Sequence, residues 1–343
     1  MINRKILYYP NIVVPTRWLR WALFYWDEVS SIVPYSWKIR AHRDMKLLYD
    51  ESEFVPTRPD SLIQDAPAKV SSFHSELLEV LDTAKFKSII RKDWLEQGYV
   101  GKIHETKVSR KIIESLKQRS LAKKKSRNSV WYIIEKETSL VYMALLAKYL
   151  ADLDLESTTP STDIDFYEEI SYNWSDKSDR FHALNVKFLD VLPVPRDDVP
   201  LKDIIKFKKE RKTELLSLRE IIDSYHKELS NSKDHKEIKE ITVQFKERIQ
   251  KGKTNLEQNM KDSNIKRVFE TFGSLISIKS PSLYEVIGFT IAQVPLEVSV
   301  PITATTAAIQ IGTKLIDSRN KHRAEMRESP FSYLCYAQKK GFF

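Results

Sequence analysis

Seven glycines in 343 residues constrain this chain more than any other feature. Glycine is consumed by tight turns, bulges and phosphate-cradling loops, and about 7% of a typical protein is glycine. A chain with so few is expected to be built mainly of helix. With 42% hydrophobic and 30% charged residues it is apolar enough to fold, and its length suggests about two domains. Cys335 is the only cysteine, so an intrachain disulfide is excluded and a reducing, cytoplasmic compartment is expected.

The expected fold class is mainly α, of α+β type. Residues 5–12 are rich in Ile, Leu and Tyr up to Pro10 and read as a short buried strand. Thr16 is expected to cap a helix over 17–26, RWLRWALFYW in the sequence, with apolar side chains on most of its circumference. Residues 29–34 read as a second strand, and a helix over 44–49 followed by a strand at 53–56 repeats the pattern. Short connections make residues 1–60 a small strand-helix-strand unit with parallel pairing. Residues 61–196 read as a helical domain, with its strongest helix over 129–150, where Val130, Ile133, Ile134, Val141 and Leu145 recur at helical spacing.

Pro193, Pro195 and Pro200 mark a boundary, after which Asp198 is expected to cap a helix over 201–229. Leu215, Leu218, Ile222, Tyr225 and Leu229 step along it by threes and fours. A polar turn near residues 230–234 leads to a second stripe of Ile238, Ile241, Phe245, Ile249 and Leu256. Residues 197–279 therefore read as a long αα-hairpin, its first arm about 40 Å at 1.5 Å per residue. The seam at Leu215, Leu218 and Ile222 needs a surface to pack on, either the body of the protein, a protein partner or a second copy.

The net charge of +9 is concentrated. Residues 102–127 hold ten bases against Glu105 and Glu114, and the rest of the chain is close to neutral. Val108, Ile112 and Leu116 recur every four residues there, which predicts a helix with one apolar stripe and basic flanks. Lys117, Arg119, Lys123, Lys124, Lys125 and Arg127 are the candidate contacts to an anionic partner, nucleic acid among them. The plainer alternative is a solvated charged face. No stacking aromatic lies within the run, and Trp131 and Tyr132 are expected to open the next helix.

Familiar catalytic chemistry is mostly missing. His42, Arg43 and Asp44 resemble a kinase catalytic loop, but Tyr49 stands where magnesium-binding asparagine is needed, and no glycine-rich loop precedes it. P-loop, dinucleotide, HExxH and GxSxG patterns are absent, and no cofactor or metal is expected. Asp163 and Asp165, with Glu168 or Glu169, form an acidic group that either opens a helix or holds a divalent cation. His226 and His235 can meet only across the hairpin turn. Asp27 sits at a helix C-terminus beside Trp18, Trp21 and Trp26, where the dipole disfavours a carboxylate. Either backbone donors compensate it, or Trp18, Trp26 and Asp27 form the edge of a pocket.

Residues 280–313 carry only Glu285 and Glu297 as charges, and Pro295 and Pro301 break the run. Its pieces are too short to span a bilayer separately, so a buried hairpin or a pair of core helices is expected, with a conditionally membrane-inserting segment as the alternative. Lys314, Arg319, Lys321 and Arg323 follow it. Arg4 and Lys5 precede an apolar run that Pro10 ends too early for an export signal.

LYYPNI from Leu7, WLRWALFYWDEVSSIVP from Trp18, VYMALLAKYLA from Val141, LPVPRDDVPLKDIIKFKKER from Leu192 and SPFSYLCYAQ from Ser329 together resemble a bacterial family of unknown function. The resemblance spans nearly the whole chain and implies architecture without catalytic residues. Genes of this kind resemble those of mobile and defence islands, which implies a host-defence role, against phage for example. The residues themselves point to a non-enzymatic binding or regulatory protein of the cytoplasm. A membrane-active effector using 280–313 and an enzyme with a site near Asp27 or Asp163 are the two alternatives.

Overall fold

Ile6, Leu7, Tyr8 and Tyr9 are all buried, which is what a central strand covered on both faces requires. In the computed structural model that strand, β1 (Arg4–Tyr8), lies between β2 (Glu28–Ser31) and β6 (Ser157–Ser161), parallel to both. The structure describes residues 4–34, 42–154, 157–163, 193–231 and 329–343, together with positions 237, 240, 241, 244, 245, 247 and 248. The chain divides into two compact units, Met1–Asn173 and Trp174–Phe343.

In the first unit, α1 (Thr16–Tyr25) connects β1 to β2 and buries every residue from Trp18 to Tyr25. The parallel strand-helix-strand unit is therefore as the sequence indicates. The cap differs: Pro15 occupies the N-cap and Thr16 is already helical, with no side-chain cap. Trp18 packs on Tyr8 with ring centroids 4.8 Å apart, so α1 covers the Ile6 and Tyr8 face of the sheet. The segment expected as a strand at 53–56 makes isolated parallel bridges instead, Val29 with Phe54 and Ile32 with Thr57. On the opposite face Leu7, Tyr9 and Ile32 join a core with Leu62, Phe73, Leu77, Ile112, Leu116, Val141 and Leu145. Those residues come from α3 (Asp60–Ile63), α4 (Pro67–Asp82), α6 (Arg110–Gln118) and α7 (Lys136–Ala151). The short helices α2 (Arg43–Asp50) and α5 (Ala84–Ile89) complete the order, and Thr83 caps α5 by accepting from Phe86 N–H.

The region read as wholly helical holds a second sheet. β3 (Val100–His104), β4 (Ala122–Lys124) and β5 (Trp131–Glu135) are antiparallel, in the order β3-β5-β4. Val108, Ile112 and Leu116 are all buried, but only Ile112 and Leu116 belong to a helix, α6, and Val108 is extended backbone just before it. Lys102 and Lys123 to Lys125 lie outside it, on strands and in the turn that follows β4. The expected helix over 129–150 is likewise a strand followed by a helix. Trp131, Tyr132, Ile133 and Ile134 favour extended backbone, and Glu135 caps α7 by accepting from Thr138 N–H (2.7 Å) and Thr138 Oγ1 (2.8 Å). The chain thus passes from strand to helix with no loop between.

In the second unit the first hairpin arm is two helices, α8 (Leu201–Glu210) and α9 (Lys212–Asn231), broken at Arg211. Pro200, not Asp198, is the N-cap of α8, and Asp198 pairs with Arg196. Leu215, Leu218, Ile222, Tyr225 and Leu229 are buried, so the narrow apolar seam is covered within the chain. Tyr225 stacks on Phe245 at 3.9 Å and 8°, a contact between the two stripes of the hairpin. α10 (Ser332–Lys339) brings Tyr333 against Phe207 and sets the Tyr336 ring 3.9 Å from the Arg211 guanidinium, and the turn after it adds Phe342 to the same Phe207 ring. Residues 280–313 and His235 lie outside the described residues. Among the described residues no helix is long and apolar enough to cross a membrane.

Gly101 marks where the second sheet meets α7. A Cβ there would overlap Ser139 Oγ, which is itself held by donating to Lys136 O (2.8 Å). Gly101→Val should therefore destabilise the protein by about 1–3 kcal/mol. Urea denaturation would measure it, and adding Ser139→Gly should recover part of the loss.

Candidate functional site

The antiparallel sheet converts a linear charge run into a surface. Directly paired residues share a face, so the register sets His104 beside Trp131, and Lys102 and Lys123 on either side of Ile133. Lys125 N–H donates to Trp131 O, which brings the next lysine alongside the indole. Lys102, Lys123, Lys124, Lys125 and Arg127 are all exposed, while Trp131 and Ile133 are half-buried. Ile103, Ile134 and Ala122 alternate to the opposite, buried face, as a sheet packed on one side requires. Trp131 and His104 meet edge to face at 5.0 Å, and the His104 ring nitrogen is bonded to Thr106 Oγ1 at 2.9 Å. Burial holds the His104 pKa below its ordinary value, so the ring stays neutral beside the indole at neutral pH.

The six sequence-selected bases are not equivalent. Arg119 makes a two-pronged pair with Asp82 at 3.0 and 3.1 Å, and these bonds, with one from Lys87, hold the Asp82 carboxyl below its usual range. Lys117 pairs with Glu114 at 3.0 Å and lies over the Tyr132 ring, 5.4 Å from its centre. Lys124 approaches the same ring at 6.0 Å. Lys123, Lys125 and Arg127 project from the β4–β5 hairpin. The sequence separates Trp131 and Tyr132 from the bases, and cross-strand pairing reunites them. The signal that was available is the β-forming run Trp131 to Ile134 just after a polar Ser126 to Ser129 turn.

The two acidic candidates fall at opposite edges of the parallel sheet. Asp27 is at the amino edge, where its Oδ2 accepts from Arg4 N–H at 3.0 Å and its own N–H donates to Arg4 O at 3.0 Å. Backbone donation of this kind offsets the unfavourable helix end. Trp18 is buried against Tyr8, and Trp21 lies between Trp18 and Trp26 with centroids 5.4 and 6.5 Å away. Asp163 follows β6 at the carboxyl edge and accepts from Tyr8 Oη at 2.8 Å. Burial and that carboxylate raise the Tyr8 pKa, so the phenol remains a donor. Thr162 Oγ1 beside it is buried without a hydrogen-bond partner. Asp165, Glu168 and Glu169 lie outside the described residues, among which no group of three His, Cys, Asp or Glu side chains is arranged to hold a metal. Cys335 is buried, and desolvation pushes its thiol up to about 12, far from a reactive thiolate at neutral pH.

One base of the run is not on the surface at all. Lys107 is 5% exposed and its ammonium donates to Ile32 O at 2.6 Å, at the end of β2. Tyr142 Oη donates to Lys107 O at 2.6 Å, tying the same residue to α7. Desolvation pulls the Lys107 pKa down to about 7. The unfolded value is about 10.4, so between pH 7 and 10 the unfolded chain binds a proton the folded one does not, and this contribution to stability rises with pH. Below about pH 7 both states are protonated and the penalty of the buried charge is complete. Lys107→Met should therefore gain stability on the order of 2 kcal/mol near pH 6, with the gain shrinking toward pH 10. Urea denaturation across that range checks it, and a gain independent of pH would contradict it.

Comparison with known proteins adds one match. No curated protein and no solved structure matches the chain. A model of a family of unknown function, DUF6236, matches residues 141–341, from α7 through α10, which takes in the hairpin and the Pro-rich boundary. The basic sheet and the first two parallel strands precede the matched stretch. Since that stretch is more than half of the 343 residues, the chain belongs to the DUF6236 family of unknown function.

Proposed function

We propose that this protein is a non-enzymatic binding protein that takes nucleic acid on the exposed face and hairpin of its antiparallel sheet. The observation that carries this reading is the register that sets Lys102 and Lys123 across Ile133 and Lys125 beside Trp131. Clustered exposed lysines bind phosphates by releasing condensed counterions, a salt-sensitive attraction. The ion pair of Arg119 with Asp82 assigns that arginine a lesser part, since its charge is already matched.

Anisotropy of labelled nucleic acid over a salt series tests it. The wild type should bind at low salt and weaken steeply as salt rises. Neutralising Lys123, Lys124, Lys125 and Arg127 to glutamine should lower the slope of log K against log salt by up to about 3.6, at 0.7–0.9 per lost phosphate contact. Arg119→Gln should change it little. Absence of binding at low salt would overturn the proposal.

A second reading rests on a different observation. In the order β2-β1-β6, α1 covers one face and α7 the other, so the strand order switches direction between β1 and β6. Open parallel sheets take small ligands, commonly nucleotides, outside the carboxyl ends at such a point. Tyr8, Asp163 and the unpartnered Thr162 hydroxyl stand there. Calorimetric titration with nucleoside mono-, di- and triphosphates tests it, and binding lost in Asp163→Asn would support it.

A further inference from the structure

We infer that the nucleic acid is single-stranded and that an unpaired base stacks on Trp131. The inference rests on the nucleic-acid reading above and names its substrate class. Trp131 is half-buried, on the face shared with His104, Lys102, Lys123 and Lys125, and it is the one Trp, Tyr or Phe side chain that the register of these strands places on that face. Tyr132 alternates to the other side, where Lys117 and Lys124 approach its ring.

The indole is fixed before any ligand arrives. His104 meets it edge to face and is itself bonded to Thr106, so little side-chain freedom is lost when a base stacks. Aromatic platforms of this kind favour single strands because every base offers a flat face once it leaves the duplex, whereas paired bases hide those faces in the stack. Lysines one register step away, about 7 Å along the strands, then lie where the backbone on either side of the stacked base must pass.

The same geometry disfavours a duplex. A two-stranded ribbon can enter the major groove, but β4 is 3 residues long and β5 is paired on its far side by β3. The sheet therefore presents a three-stranded surface and not a free ribbon.

The experiment compares a labelled single strand with a duplex of the same sequence, using the full-length wild type, Trp131→Ala and Trp131→Phe. Circular dichroism and urea denaturation establish that each variant is folded. The single strand should bind at least about 10-fold more tightly than the duplex, and Trp131→Ala should weaken it by about 5- to 100-fold with the salt slope unchanged. Trp131→Phe should keep most of the affinity, and it decides the matter if Trp131→Ala does not fold, since a platform tolerates another aromatic ring. Equal or tighter duplex binding, or single-strand affinity insensitive to Trp131→Ala, overturns this inference while leaving the nucleic-acid reading intact. An affinity in folded Trp131→Phe as low as that of the duplex also overturns it. Failure of the wild type to bind either form at low salt overturns both.

Discussion

The first unit depends on one helix that has almost no outward face. In α7, Val141, Tyr142, Ala144, Leu145, Leu146 and Ala147 are buried, which covers nearly the full circumference. It packs against β1 and β6 of the parallel sheet, β3 and β5 of the antiparallel sheet, and α3 and α4. Two sheets of different type are thereby held on a single rod. The register between them is set by close approaches and not by apolar area alone: Gly101 admits Ser139, Tyr142 reaches Lys107 O, and Glu135 closes the helix start from the end of β5.

That dependence explains which parts of the fold were legible. A buried strand bounded by Pro10, a tryptophan-rich helix and a parallel return are local features, and the sequence displays them locally. The seam of α9 was equally plain, because Leu215, Leu218 and Ile222 hold helical spacing whatever covers them. The antiparallel sheet was not. Val130 to Ile134 is a short apolar run, compatible with a strand or the first turns of a helix, and the unambiguous helix that begins at Lys136 absorbed it. Only pairing with β3, some thirty residues earlier, distinguishes the two, and pairing partners leave no periodic mark.

The candidate site was legible as charge and illegible as geometry. Ten bases in one stretch stand out in any reading, yet they have at least three fates. Lys107 is buried as a tie between β2 and α7, Arg119 and Lys117 are matched by acids, and the hairpin lysines with Arg127 face solvent. Separating these required neighbours such as Asp82, which is remote in sequence. Asp27 and Asp163 illustrate the same limit: both are acids near aromatic residues, and only the strand direction assigns one to each edge of the sheet.

The central position of β1 has a consequence for synthesis. Its two neighbours come from very different places in the chain: Tyr8 is opposite Ser31 on one side and Ser161 on the other. During translation at about 5–20 residues per second, the second edge of β1 waits roughly 8–30 seconds for its partner. Throughout that interval an apolar strand with unpaired backbone groups is open to pairing with other nascent chains. The order in which segments emerge therefore bears on the yield of native molecules, because β1 is complete long before the second of its two neighbours.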